Sequence, residues 1–189
     1  MRKLLVLIAL LCCVAAIVVG RNAISMAQDI PLESKVQPKE VVLSKDSQSD
    51  KYGEAPFNHE NHSIKNYSID GKSVIACVEC HHTDQPAANL KAPLKTSERE
   101  AVLTTALLAV ADAKPVKSCR ACHLQAGDDS KPTPSVTYEG KPSPTKLTNE
   151  VAYHMNCNIC HDKAIAARPA FKGKLAGSAD CLLCHKPVS

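Results

Sequence analysis

The sequence predicts a fold that is mainly α with extensive loops, in which the chain does not build its core from its own side chains. The first observation is an aromatic content of 3%, with no Trp and two Phe among 189 residues. The second is a Cys-x-x-Cys-His motif that occurs four times between residues 77 and 185. The length fits one domain, but the composition is poor material for a hydrophobic core.

Cys-x-x-Cys-His is the attachment signature of a c-type haem, because the two thiols add across the porphyrin vinyl groups and the histidine binds the iron. The four copies are Cys77-Val78-Glu79-Cys80-His81, Cys119-Arg120-Ala121-Cys122-His123, Cys157-Asn158-Ile159-Cys160-His161 and Cys181-Leu182-Leu183-Cys184-His185. Four covalently bound haems, and their iron, would supply the missing apolar bulk. The predicted fold class is therefore a small multihaem protein whose four haems form the core.

Two other interpretations of the cysteines were compared with haem attachment. Pairs of Cys-x-x-Cys can form a four-cysteine zinc site, and an exported chain can hold disulfides. Neither explains why a histidine follows the second cysteine in all four copies. The haem interpretation does, because that histidine is the iron ligand.

The histidine count predicts how the irons are coordinated. The chain has eight His, of which four belong to the motifs: His81, His123, His161 and His185. The other four supply one further ligand per haem: His59, His62, His82 and His154. Met155, which adjoins His154, is the competing sixth ligand, and a methionine would raise the potential of that haem.

Two imidazoles on every iron leave no coordination position open to a substrate and favour the ferric state. The chemistry that remains is one-electron transfer, so we expect a carrier and not an enzyme, with no catalytic residues. His59 and His62 are three residues apart and would share one helical face at about 5–6 Å between their Cβ atoms. That is too close for opposite sides of one porphyrin, so we expect them to bind two different haems.

The first 27 residues resemble an export signal. Arg2 and Lys3 precede an apolar run over residues 4–20, and Ser25-Met26-Ala27 offers a cleavage site. The run is also at the lower limit for a membrane-spanning helix, so cleavage and an uncleaved anchor in the inner membrane both stay open. Either way we expect a periplasmic, exported protein. Such a location suits haem attachment.

Net charge excludes nucleic acid as a partner. Residues 28–189 hold 20 of the 23 basic residues and all 19 acidic ones. Four ferric haems with ionised propionates would bring the oxidised protein to about −3. The pI of about 8.5 that follows from the whole sequence therefore overstates the positive charge of the haem-loaded protein.

We divide the remaining chain into a polar tether over residues 28–56, with a short strand at Val41-Val42-Leu43, and a haem domain over residues 57–189. Ser97-Glu98-Arg99-Glu100 is a capping-box pattern. It precedes apolar residues at helical spacing over 102–110, which predicts a packing helix that ends before Pro115. Residues 131–146 hold four prolines and are expected to form a turn-rich surface segment.

The last third of the chain carries a cluster of basic residues, which we call the basic cluster: Lys163, Arg168, Lys172, Lys174 and Lys186. Asp162 and Asp180 oppose it, which leaves a local charge of +3. Such a run is usually a solvated face. Beside a haem edge, it would also suit an acidic redox partner.

The order of these ligands resembles that of the class III tetrahaem cytochromes c, the cytochrome c3 family, over about residues 57–185. The combination of F-x-H-x-x-H with a C-x-x-C-H-H doublet carries the resemblance, and AYHMNCNICH is similar to the membrane-complex-associated branch. The chain differs from many members in using Cys-x-x-Cys-His at all four haems, with His154 close to the third motif. By resemblance the iron ligands would pair as His81 with His59, His123 with His82, His161 with His62 and His185 with His154. Phe57 matches a family aromatic beside haems I and III.

The resemblance implies a periplasmic carrier between a hydrogenase or formate dehydrogenase and a membrane oxidoreductase complex, in anaerobic respiration of the sulfate- or metal-reducing kind. Two alternatives stay open: a subunit of an extracellular multihaem conduit or filament, and a multihaem reductase. A conduit would need contacts between haems of neighbouring proteins. A reductase would need one five-coordinate haem, which the histidine count disfavours.

Overall fold

The computed structural model describes residues 30–45, 51–81, 103–137 and 143–188. Their regular elements are, in chain order, β1 (Glu33–Ser34), β2 (Glu40–Val42), β3 (Pro56–Asn58), α1 (His59–Ile64), α2 (Thr105–Leu108), β4 (Val116–Lys117), β5 (Ser135–Val136), β6 (Thr145–Lys146), α3 (Asn149–Ala167) and α4 (Cys181–Cys184). Three 3-10 turns cover Cys77–Glu79, Cys119–Ala121 and Pro169–Phe171.

Loops dominate the described residues, as predicted, but a mainly α fold is not confirmed. Only α3 is long, at 19 residues, whereas the other three helices have six residues or fewer. None of the helices in the described ranges is long and apolar enough to cross a membrane. The expected signal or anchor over residues 1–27 lies outside those ranges.

The described residues form three two-stranded antiparallel sheets, two of which connect separate parts of the chain. β1 pairs with β4, with Glu33 opposite Lys117, and β2 pairs with β3, with Val41 opposite Phe57. β2 begins and ends one residue earlier than the predicted strand. β5 pairs with β6 inside the proline-rich segment. The first two sheets attach residues 30–45 beside the second haem motif and beside His59.

Helix α3 begins and ends at recognisable signals. The Thr148 hydroxyl accepts a hydrogen bond from the Val151 amide at 3.4 Å, which caps the first turn. The helix ends at Ala167, and Pro169 follows, whose ring disfavours helical backbone at the residue before it. This helix therefore carries His154, Cys157, Cys160 and His161 along one rigid element.

The predicted packing helix is present only in part. Its capping box at residues 97–100 lies outside the described residues. The helix that the structure shows, α2, is four residues long and is capped by Thr104, whose hydroxyl accepts from the Leu107 amide at 3.1 Å. Leu103, just before it, is buried.

The described residues bury few apolar side chains. The buried ones are Val41, Ala55, Leu103, Val151 and Ala164, and no described side chain is less than 2% exposed. Large apolar residues inside the haem motifs are exposed instead, among them Ile159, Leu182 and Leu183. This pattern agrees with the composition: the described side chains bury little surface against one another.

Arg168 joins the end of α3 to the loop of residues 67–73. Its guanidinium donates to the Ser68 carbonyl at 3.1 Å and lies 4.3 Å from the centroid of the Phe171 ring. Gly71 has φ of +74° and packs against the same guanidinium, so that a Cβ there would collide with it. A positive φ without space for a side chain explains a glycine here.

Substitution Gly71→Ala should therefore destabilise the protein more than Gly127→Ala. Both glycines have positive φ, +74° and +89°, but a Cβ at Gly127 would meet nothing within 4 Å. Each change should cost about 1–2 kcal/mol for left-handed backbone, and Gly71→Ala about 1 kcal/mol more for displacing Arg168. Denaturant unfolding of the haem-loaded variants measures the difference. The additional destabilisation by Gly71→Ala should vanish when Arg168 is also replaced by alanine. If it persists in the Arg168→Ala protein, the guanidinium is not its cause.

Candidate haem centres

Each motif forms a single helical turn that closes on its own first cysteine. The amides of His81, His123 and His185 donate to the carbonyl of the first cysteine of their motifs at 2.9, 2.8 and 2.8 Å. The third motif lies inside α3. Residues at i, i+3 and i+4 share a helical face, so both thiols and the imidazole of a motif lie on one side of its turn. Two thioether bonds and an axial ligand on one porphyrin require this arrangement.

All eight motif cysteines lie in the described residues and are thiols rather than disulfides. Burial raises the pKa of the Cys119 and Cys184 thiols, although a hydrogen bond with the Tyr153 side chain partly offsets this at Cys119. Within the described ranges, no three or more His, Cys, Asp or Glu side chains cluster as they would around a metal ion held by protein alone. A thiol adds to a vinyl group as S–H across C=C, so the thiol is the form that haem attachment uses.

Three of the non-motif histidines each lie opposite a motif histidine. The ring centroids are 6.0 Å apart for His59 and His81, 6.4 Å for His62 and His161, and 6.1 Å for His154 and His185. Two metal–nitrogen bonds of about 2 Å, plus the distance from each nitrogen to its ring centre, give about 6 Å. The spacing therefore fits one iron between each pair.

The orientation of the paired rings is also compatible with a shared iron. Both ring planes would contain the axis through the iron, and rotation about that axis is unrestricted. The interplanar angles of 62°, 34° and 76° are all allowed. These are three of the four pairs that the family resemblance implies.

The fourth pair is described only in part. His123 is present, beside a cavity of about 170 Å³ that is lined in part by Leu32, Arg120 and Leu124. His82 lies outside the described residues, so its distance to His123 is not defined. Tyr153 of α3 packs against this motif and is hydrogen-bonded to Cys119, and burial raises the pKa of its hydroxyl.

Backbone carbonyls fix the tautomer of five histidines. In each case Nδ1–H donates to a carbonyl oxygen, which can only accept, so Nε2 keeps its lone pair. The pairs are His59 with Pro38 at 3.1 Å, His62 with Asn58 at 2.8 Å, His123 with Leu147 at 3.2 Å, His161 with Ala176 at 2.6 Å and His185 with Gly53 at 2.9 Å. Metal-binding histidines have this hydrogen bond almost without exception.

Burial keeps two of these imidazoles neutral. Desolvation is the largest influence on His59 and His161 and lowers the pKa of both, against smaller raising effects of their backbone hydrogen bonds. A neutral imidazole is the form that binds a metal. Neither histidine therefore has to lose a proton before it can bind iron at neutral pH.

Helix α1 directs His59 and His62 to different partners. Asn58 caps the helix by accepting from the Asn61 amide at 2.8 Å. The two histidines lie one turn apart on it, and their rings lie against His81 and His161 respectively. One short helix thus brings its two histidines to two different motif histidines.

Aromatic rings surround His62. The Phe57 ring centroid is 4.6 Å from that of His62 and 6.0 Å from that of His59, so the aromatic expected beside two haems contacts both of their candidate ligands. Tyr67 packs edge-on against His62 at 5.2 Å. The sequence analysis missed Tyr67, and it also missed the carbonyl acceptors, because a backbone carbonyl leaves no signal in residue type.

Comparison with known proteins gives one informative similarity. No family model matches the chain, and no solved structure matches it. A nine-heme cytochrome c of Desulfovibrio desulfuricans is 26% identical over 166 residues, which are 82% of this chain and 36% of that protein. The chain thus spans about a third of that relative's length.

The similarity agrees with the chemistry of the four motifs and points to covalent haem c. It covers most of the described residues, although it is distant. Together, the motifs and this homologue make the chain similar to the multihaem cytochromes c and support an electron-transfer role.

Proposed function

We propose that the chain is a tetrahaem electron carrier of the class III type, with each c-type haem held between two histidines. The observation that carries this proposal is the 6.0–6.4 Å spacing of three histidine pairs, each of which joins one motif histidine to one other histidine. The haems would be held by Cys77, Cys80, His81 and His59; by Cys119, Cys122, His123 and His82; by Cys157, Cys160, His161 and His62; and by Cys181, Cys184, His185 and His154.

The assignment of His82 to the second haem has separate support. The chain has eight His, and seven are accounted for by the three pairs and His123. His82 follows the first motif directly, so it would link the first haem to the second. The family resemblance implies the same pair.

The chemistry follows from this coordination. When bound, each haem supplies one reversible ferric–ferrous step. The chain would supply two imidazoles per iron, and two imidazole donors favour low potentials. Five of the described imidazoles also donate Nδ1–H to a backbone carbonyl, which strengthens them as donors. Shared elements bring the haems near one another: α1 carries ligands of two, and α3 carries ligands of two. Electrons would pass between closely spaced haems without bond making.

For the partner, we propose a redox protein with an acidic docking face. Two members of the basic cluster have partners within the chain: Arg168 donates to Ser68, and Lys186 lies 3.2 Å from Glu54. Lys163, Lys172 and Lys174 are exposed and form the part that a partner would meet. A hydrogenase or formate dehydrogenase as donor and a membrane complex as acceptor, in the periplasm, follow from the resemblance.

Haem counting and EPR with near-infrared magnetic circular dichroism of the ferric protein test the proposal. We expect a mass greater than that of the polypeptide by four haems, and four low-spin irons without a methionine-type charge-transfer band. Fewer haems would remove the tetrahaem assignment. A stoichiometric high-spin signal would reveal an open iron and favour a reductase or a ligand-binding protein.

A further inference from the structure

Residues 30–45 and 51–55, which we call the strap, run past three places where the chain would hold haem. The Ser118 amide, next to the second motif, donates to the Leu32 carbonyl at 2.8 Å. β2 pairs with β3 immediately before His59. At the other end, the Gly53 amide donates to the Lys186 carbonyl at 2.8 Å, directly after His185. A segment expected to be a tether thus makes backbone pairs beside three haem centres.

The strap supplies the acceptors of two candidate iron ligands. His59 Nδ1–H donates to the Pro38 carbonyl at 3.1 Å, and His185 Nδ1–H donates to the Gly53 carbonyl at 2.9 Å. The acceptors of His59, His62, His123 and His161 lie within 24 residues of their histidines in sequence, whereas Gly53 and His185 are 132 residues apart. Two haem centres would therefore take an acceptor from the strap, and for the centre that contains His185 this acceptor is far away in sequence.

Both acceptor carbonyls are held in place by neighbouring bonds. Next to Pro38, the Lys39 carbonyl accepts from the Glu60 amide at 3.0 Å, which ties the strap to α1 itself. Gly53 lies so near the C-terminal segment that a Cβ there would be 2.8 Å from the Lys186 carbonyl oxygen. The absence of a side chain at Gly53 thus allows the close approach that brings its carbonyl to His185.

We propose that the strap is a positioning element that sets the donor strength of His59 and His185, and so lowers the potentials of the two haems they would bind. The inference rests on the proposed function. The physical cause is that an Nδ1–H bond to a carbonyl orients the imidazole and makes it more basic. A more basic axial ligand stabilises ferric iron relative to ferrous iron and lowers the potential.

The Gly53→Ala variant tests the strap in the haem-loaded, full-length protein. The added Cβ has to push residue 53 away from Lys186, which lengthens the bond between its carbonyl and His185. In a redox titration with the haems resolved by NMR or EPR, the potential of one haem should rise and the other three should stay unchanged. Gly173→Ala is the control: its φ of +70° strains the backbone of an alanine, but a Cβ there would meet nothing within 4 Å. It should therefore move none of the four potentials.

Failure of this inference can be told apart from failure of the proposed function. Suppose that the wild-type protein and the Gly53→Ala variant both contain four low-spin haems and that all four potentials are the same in the two proteins. This result would overturn the proposed role of the strap and leave the proposed function intact. A wild-type protein without four bis-histidine haems would overturn the proposed function first.

A measurement on the wild-type protein covers the case in which Gly53→Ala does not take up haem. The Nδ1 protons of His59 and His185 should exchange with solvent as slowly in NMR as that of His62, whose acceptor Asn58 caps its own helix. Fast exchange at both positions would overturn the strap. Slow exchange at both supports it.

Discussion

His154→Ala should convert one of the four haems to a high-spin, five-coordinate state. In the structure His154 faces His185 with 6.1 Å between ring centroids, and the chain has no surplus histidine to replace it, because its eight His are all assigned. Ferric EPR should show about a quarter of the iron as high-spin. Added imidazole should return that fraction to low-spin, because it fills the position that the side chain leaves.

Met155→Leu is the matched control, since Met155 is the neighbouring residue on α3 and the one alternative ligand that the sequence offers for this iron. It should leave all four haems low-spin and their potentials nearly unchanged. The opposite result would assign the sixth ligand to Met155: all four haems stay low-spin in His154→Ala, and one becomes high-spin in Met155→Leu. In that case a methionine-type band should be visible in the wild-type protein and lost in Met155→Leu.

The residues that would bind haem can be named from the sequence because the attachment chemistry is local. Two thiols and an imidazole must come from one helical turn, so the spacing of Cys77, Cys80 and His81 is constrained by geometry alone. The partner of each motif histidine is not constrained in this way. The spacing of His59 and His62 alone predicts that they bind different haems. Their partners, His81 and His161, are implied only by the family resemblance. The structure places the same rings together.

Secondary structure was harder to predict, for a reason tied to the haem motifs. The apolar periodicity over 102–110 predicted a helix, and the described part of it has four residues. Helix α3 has 19 residues and no such apolar stripe, because His154, Cys157 and His161 recur along it at helical spacing. A helix that faces a cofactor through ligands does not show the hydrophobic pattern of one that packs on other helices.

The role of the strap, residues 30–45 and 51–55, could not be predicted from residue type either. Polar residues with Pro31 and Pro38 are typical of a linker, and side-chain type does predict that they stay near the surface. Their contribution to the haem centres is made by the carbonyls of Pro38 and Gly53. Every residue has a carbonyl, so only the fold distinguishes these two.

The chain without haem should not fold cooperatively. Its described residues bury five apolar side chains, none of them below 2% exposure, and apolar burial is the main favourable contribution to folding. Ile159, Leu182 and Leu183 lie within haem motifs and are exposed, and a bound porphyrin would give them a hydrophobic environment. Folding and haem attachment should therefore be coupled, as metal binding and folding are in small metal-dependent domains.

Expression of residues 28–189 in the cytoplasm, where haem is not attached, would provide the haem-free chain. Its circular dichroism should be that of a largely unfolded chain, without a thermal transition, whereas the exported haem-loaded protein should melt cooperatively. A Cys181→Ser/Cys184→Ser variant should fall between them, with three haems and a lower midpoint, because α4 and its contacts near Gly53 lose their anchor. A cooperative transition in the haem-free chain would mean that side chains outside the described residues complete a protein core, and it would separate folding from haem attachment.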